Sequence, residues 1–331
     1  VLVNDDPPYP RPSIPFLCAF LTCSETRRSF SCSLSQQRFP CHSLHRRAFL
    51  PIGFRHGDPS SGPGHRIRVE ASAVREPMVP PYNVLITGST KGIGFALAKE
   101  FGRAGDNLIV CSRSAERVES AIQSLRQEFG ERRAWGIKCD VGIGKDVKDL
   151  VVYSQENLKY IDIWINNAGS IAIACKPLAE VSDDDIIEIV TRNMVGSMIC
   201  CREAIKMMVK QPRGGHIFNI DAAGSDGRPT PRSAVYGATK RSVAHLTKSL
   251  QSELQMQDVK HVVLHNLSHG KVTADLLTPT ANTQQARFFN VGLAEPAEVV
   301  AKYLVPKIRC VPAHGGFIGT LKAYSKRFSV K

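Results

Sequence analysis

Tyr236 and Lys240 stand four residues apart in SAVYGATKRSVAHL, Ser233 to Leu246. In a run of small residues and helix formers, that spacing puts a phenol and an ammonium on one helical face. Such a pair is either a proton-transfer device or a polar patch on a helix. A chain with seven tyrosines produces it by chance, so the context has to decide.

A second chemical signal is VLITGSTKGIG, Val84 to Gly94. Gly88, Gly92 and Gly94 lie where a chain leaving a strand must turn sharply, admit phosphate oxygens and pack a helix closely. Ser89, Thr90, Lys91 and Ile93 complete this loop, and the helix after it offers free N–H groups and partial positive charge to a pyrophosphate. The reading is a dinucleotide site. Enzymes that choose NAD usually carry an acid at the end of the second strand to bind the ribose 2′-hydroxyl. Here VCSRSAERV places Ser112 and Arg113 at that point, with Lys91 in the loop. Two cations and no carboxylate favour a 2′-phosphate, so NADPH is expected, with NADH the alternative. Asp140, at the end of IKCD and followed by Val141, is either an acceptor for an adenine amino group or a helix cap.

Both signals need a scaffold. NVLIT, NLIVCS, AWGIKCD, IDIWINNAG, GHIFNI and HVVLHNLS are short apolar runs suited to strands buried on both faces. Helical segments alternate with them, including GFALAKEFGRAG and DDDIIEIVTRNMVGSMICCREAIKMMVKQ, the second opened by Ser182 and Asp185 at capping-box spacing. Six alternations predict an α/β domain over residues 83–305, a doubly wound, Rossmann-like parallel sheet. One further helix is readable in EPAEVVAKYLV, then the pattern fades with no clear last strand. Residues 306–331 read as a C-terminal tail, the mark of an altered copy or an incomplete end.

Charge excludes more than it assigns. The formal net charge is +13, and residues 1–70 contribute +4 through nine arginines and five acids. The rest is dispersed without long basic runs, which fits a solvated surface and no nucleic acid partner. The ten cysteines lack C-x-x-C or zinc-site spacing, so they read as idle thiols in a reducing compartment, and no metal is expected. Residues 1–72 are rich in Arg, Ser and Pro and lack sustained periodicity, the composition of a disordered organelle transit peptide. RIRVEASA, Arg66 to Ala73, reads as a processing region and 73–82 as a linker.

TGSTKGIG, NNAG at Asn166 to Gly169, Asn193 in the long helix, and YGATK follow one another in order. Together they resemble the short-chain dehydrogenase/reductase superfamily over about residues 83–305. The resemblance makes Tyr236, Lys240, Asn193 and a serine the catalytic set, and Asn167, Ala168, Gly169 and Val272 cofactor contacts. It implies that Lys240 lowers the phenol pKa of Tyr236 and binds the nicotinamide ribose, while Asn193 holds a water linking the lysine to solvent. YIDIWINNAGS and GGHIFNIDAAGSDGRPTPRSAVYGATKRSV resemble, more narrowly, plant chlorophyll(ide) b reductases of the non-yellow-coloring-like type. That implies reduction of the 7-formyl group of chlorophyll b or chlorophyllide b in a chloroplast. It also implies peripheral attachment on the stromal side of the thylakoid, and an oligomer with its own copies or with a related membrane-bound reductase near light-harvesting complex. The alternatives are another plastid carbonyl reductase, such as a 3-oxoacyl carrier-protein reductase, and a non-catalytic cofactor-binding subunit.

Two positions depart from the superfamily pattern. Many members have a serine about 13 residues before the tyrosine, where this chain has Ala223. Asp221 suits the carbonyl-polarising role only if protonated, so Ser225 is the candidate. After the sixth strand, SHGKVTAD has His269 for the usual proline and Ala274 for the usual threonine. His269 reads as a tolerated loop substitution.

Overall fold

The computed structural model describes residues 76–171, 176–270, 272–273, 295–314 and 320–322. The transit-peptide and processing readings, the first residues of the linker, and Ala274 lie outside them.

Apolar runs too short for helices became strands: β1 Asn83–Thr87, β2 Asn107–Ser112, β3 Ala134–Lys138, β4 Ile163–Asn166, β5 Gly215–Asp221 and β6 Val262–Ser268. Helices α1 Gly92–Arg103, α2 Ala115–Phe129, α3 Gly144–Leu158, α4 Asp183–Val190, α5 Gly196–Met208 and α6 Ala234–Met256 alternate with them. Val272–Thr273 (β7) and Glu295–Pro296 (β8) form a separate small parallel pair, followed by α7 Ala297–His314 and β9 Thr320–Lys322. The main sheet is parallel, in the order β3-β2-β1-β4-β5-β6-β9. The fold is Rossmann-like. Its winding reverses at β1, between β2 and β4, and the crevice at the carboxyl ends of those strands is where such sheets take ligands.

Successive strand residues feed opposite cores. Val84, Ile86, Val110 and Ile165 pack with Leu97 and Phe101 of α1 and Leu304 and Ile308 of α7. Leu85, Ile109, Trp164 and Leu264 pack on the other face with Leu150 of α3 and Cys200, Ala204 and Met208 of α5. That double burial is why the strands read as continuous apolar runs rather than alternating ones. The cysteines among the described residues are free thiols, buried at Cys111, Cys139, Cys200 and Cys201 and exposed at Cys310.

The long helix begins as expected, with Ser182 Oγ accepting from the Asp185 N–H at 3.2 Å. Between α4 and α5 its backbone loosens into a π turn, Thr191–Val195, which contains Asn193. The C-terminal reading needs correction. The fold does not end near residue 305: α7 continues through Pro306 to His314, and β9 pairs with Asn266–Ser268 of β6. Pro306 and Pro312 disguise the helix as broken, and a three-residue edge strand is too short to show a period. Arg309 ties α7 to the sheet, its Nε 2.8 Å from the Asp106 carboxylate just before β2.

Candidate active site

At the switch point, two glycines are required by shape. Gly88 sits at φ +65°, and a Cβ there would lie 2.8 Å from Ala168 Cα. A Cβ on Gly94 would lie 2.6 Å from the Gly88 carbonyl oxygen and collide with the Asn167 side chain. The NNAG segment therefore clamps the glycine loop. Asn167 Nδ2 donates to the carbonyls of Thr87 (2.8 Å) and Gly88 (2.9 Å). In return the Thr87 hydroxyl accepts from the N–H groups of Asn167 (3.1 Å) and Ala168 (3.0 Å). Thr87 is a site residue that sequence reasoning missed. Its signal was present, as the residue opening TGSTKGIG.

Beyond the loop, α1 starts at Gly92 with no side-chain cap from Lys91 and no acid in its first turn. Its first N–H groups and dipole are thus offered to an anion. Lys91 and Arg113 are both exposed. Two serines point elsewhere. Ser89 is fully buried, its hydroxyl donating to the Ile86 carbonyl (2.6 Å) and accepting from the Cys111 N–H (3.2 Å), and the Ser112 hydroxyl donates to the Ser114 carbonyl. They shape the loops. Asp140 accepts from the Gly142 N–H at 3.0 Å and so holds a turn, while the residue capping α3 is Ile143. Val141 is buried against Gly196, and Val272 is buried in β7.

The opening pair meets in the same crevice. Tyr236 and Lys240 share the first turns of α6, the Lys240 Nζ 5.7 Å from the Tyr236 ring centroid. Lys240 is buried and donates to the Ile220 carbonyl at 3.1 Å. Burial, countered in part by Asp221, lowers its pKa to about 8. Tyr236 differs from the expectation of a lowered phenol. Desolvation, then the charge of Asp221, push it up to about 12. A phenol so held is a proton donor rather than a base at neutral pH.

Asn193 is buried, and its side chain is committed. Its Oδ1 accepts from the Ser170 N–H (2.7 Å), and its Nδ2 donates to the Ser170 carbonyl (2.8 Å) and Thr239 Oγ1 (3.2 Å). It joins the end of β4 to the residue before Lys240. Ser225 lies in the turn between β5 and α6, its N–H donating to Ala222 and its carbonyl accepting from Arg241 (2.8 Å). His269 faces Lys240, and burial with that ammonium lowers its pKa to about 4, so the imidazole is neutral. A shallow solvent-open cleft beside Tyr236 is lined by Ile171, Leu178, Val181 and Ile189, with Lys176 and Arg232 among its polar residues.

The family described as short chain dehydrogenase matches residues 82–284. The chain belongs to that family. It is an oxidoreductase of the NAD(P)-dependent kind. Among curated relatives, chlorophyll(ide) b reductase NOL, chloroplastic, of Arabidopsis thaliana is 68% identical over 270 residues, 80% of this chain and 77% of that protein. The Oryza sativa subsp. japonica protein of the same name is 60% identical over 305 residues, 88% of this chain and 87% of the relative. Among solved structures, an actinorhodin polyketide ketoreductase with NADPH superposes with a TM-score of 0.63 at 24% identity, covering 73% of this chain and 95% of that one. An alcohol dehydrogenase from Thermococcus sibiricus complexed with 5-hydroxy-NADP gives a TM-score of 0.61 at 21% identity, covering 74% and 97%. These likenesses support the fold.

Proposed function

We propose that this chain is an NAD(P)H-dependent chlorophyll(ide) b reductase that converts the 7-formyl group of its substrate to hydroxymethyl. The observation that carries the reading is 68% identity to a reductase of that name across most of both chains. The site supports it chemically, since Tyr236 lines the cleft in its protonated form, with a phenolic proton to give to a carbonyl oxygen.

Gly88 and Gly94, with no room for a Cβ, and the uncapped first turn of α1 fit a dinucleotide pyrophosphate. When bound, the reduced nicotinamide supplies the hydride. Lys240 would hold the ribose beside it, and Tyr236 would give its phenolic proton to the formyl oxygen. The Asn193 side chain keeps Ser170 and Thr239 in register around that donor, and Asn193 is assigned the water that links Lys240 to solvent. Ser225 is assigned the hydrogen bond that polarises the carbonyl. Lys91 and Arg113 favour NADPH over NADH.

The relatives are named as chloroplastic, and among the described residues no helix is long and apolar enough to cross a membrane. The names support a place in the chloroplast, and the reading puts the protein at the periphery of the stromal face of the thylakoid, where a membrane-held pigment would be met. There it would act beside a related membrane-bound reductase and light-harvesting complex, with residues 1–72 as its transit peptide. The deciding experiment incubates purified protein with chlorophyllide b and NADPH and follows the 7-hydroxymethyl product. Consumption of a 3-oxoacyl substrate instead, or of neither, would replace this reading with another carbonyl reductase or a non-catalytic subunit.

A further inference from the structure

Two residues before Ala223, β5 of this chain ends in Asp221, a carboxylate only 7% exposed and paired in register with Ser268 of β6. The residue before it, Ile220, gives its carbonyl to the Lys240 ammonium at 3.1 Å. A buried acid and a buried base from two different elements are thus brought to the same strand end, at the crevice that holds Tyr236. The charged and titratable groups facing this point come from several elements. Asp221 comes from β5, Lys240 and Tyr236 from α6, and neutral His269 from the segment after β6. Lys176 and Arg232 line the adjoining cleft.

We propose that Asp221 is a positioning residue for proton delivery: its carboxylate holds Lys240 as the ammonium and Tyr236 as the phenol. This rests on the reductase reading above, because that pair of protonation states is the one from which a carbonyl is reduced. Burial alone works against the ammonium and for the phenol; the carboxylate supports both charged Lys240 and neutral Tyr236. A lone carboxylate here would repel a forming alkoxide. With Lys240 charged and bonded to the carbonyl of the preceding residue, that repulsion is reduced.

The test replaces the charge and reads two profiles. NADPH affinity is measured from about pH 6 to about pH 10 for wild type, Asp221→Asn, Asp221→Ser and Asp221→Glu. Wild-type affinity should weaken above about pH 8, as Lys240 loses its proton. In both neutral variants that weakening should begin about one pH unit lower, while Asp221→Glu should keep the wild-type profile. With chlorophyllide b as substrate, the alkaline limb of turnover should move the same way. Binding profiles of both neutral variants that superpose on wild type would overturn the proposal. So would an Asp221→Ser enzyme as fast as wild type with an unmoved profile, which would make the position a hydrogen-bond donor to the carbonyl. If wild type leaves chlorophyllide b untouched, the reductase reading falls, and the binding profiles still decide the role of Asp221.

Discussion

Replacing Tyr236 by Phe keeps a ring of the same shape in the crevice and removes the proton it donates. Turnover should fall by about 10²–10⁴-fold with NADPH affinity nearly unchanged, since general acid catalysis contributes on that order. Steady-state kinetics and cofactor titration would check this, and ordinary turnover would leave Tyr236 a relic. Lys240→Ala should lower cofactor affinity and turnover together, because it loses both the proposed ribose contact and the charge. A second residue-scale prediction concerns cofactor choice. NADPH should bind more tightly than NADH, and Arg113→Asp should narrow or reverse the preference; equal wild-type dissociation constants would sink this assignment. At this scale residue types and spacing were legible, and environments were not. That Tyr236 and Lys240 form a pair follows from their spacing of four. That burial and Asp221 raise the phenol, whatever the lysine does, required strands β5 and β6 to be packed against α6.

Among the elements, α7 carries the largest correction and a prediction of its own. The carboxylate of Asp106 is buried, accepts from the Tyr82 N–H at 2.9 Å, and meets Arg309 of α7 at 2.8 Å. Burial raises the Asp106 pKa against the pull of that guanidinium. Arg309→Ala strands the carboxylate, and breaking such a pair costs about 3 kcal/mol. Urea unfolding should show that loss, partly restored by Arg309→Lys; an unchanged midpoint would mean that packing alone holds α7. The strands β1 to β6 and the Ser182 cap were readable because each is a local preference agreeing with the fold. The end of α7 and β9 were hidden because their stability comes from Asp106, the sheet face and β6, all distant in the chain.

For the molecule as a whole, acid stability should depend on a histidine pair between β5 and β6. His216 Nδ1 and His265 Nε2 are 3.0 Å apart, and His265 stacks on Phe218. Burial, reinforced by His265, lowers the His216 pKa from 6.5 to about 3. The unfolded chain therefore binds this proton well before the folded one does. The stabilising contribution is full above about pH 6.5 and is lost as pH falls from there towards about 3. Denaturation midpoints measured between these limits should drop more steeply for wild type than for His216→Gln. Parallel slopes would remove His216 from the account.

What the sequence determined by itself was local and periodic: six buried strands, the glycine loop, a capped long helix and a tyrosine–lysine pair on one face. These are written in neighbouring residues, through side-chain period, φ preference and capping, and need no distant partner. The tertiary structure decided how the pieces serve one another. Thr87 grips Asn167 and Ala168 from about 80 residues away, Asn193 joins Ser170 to Thr239, and Lys240 of α6 reaches the Ile220 carbonyl of β5. Hydrogen bonds and charges at such separations leave no periodic trace in a single chain. Their strength also depends on how much water the packed sheet excludes, so only folding sets the protonation states on which the chemistry turns.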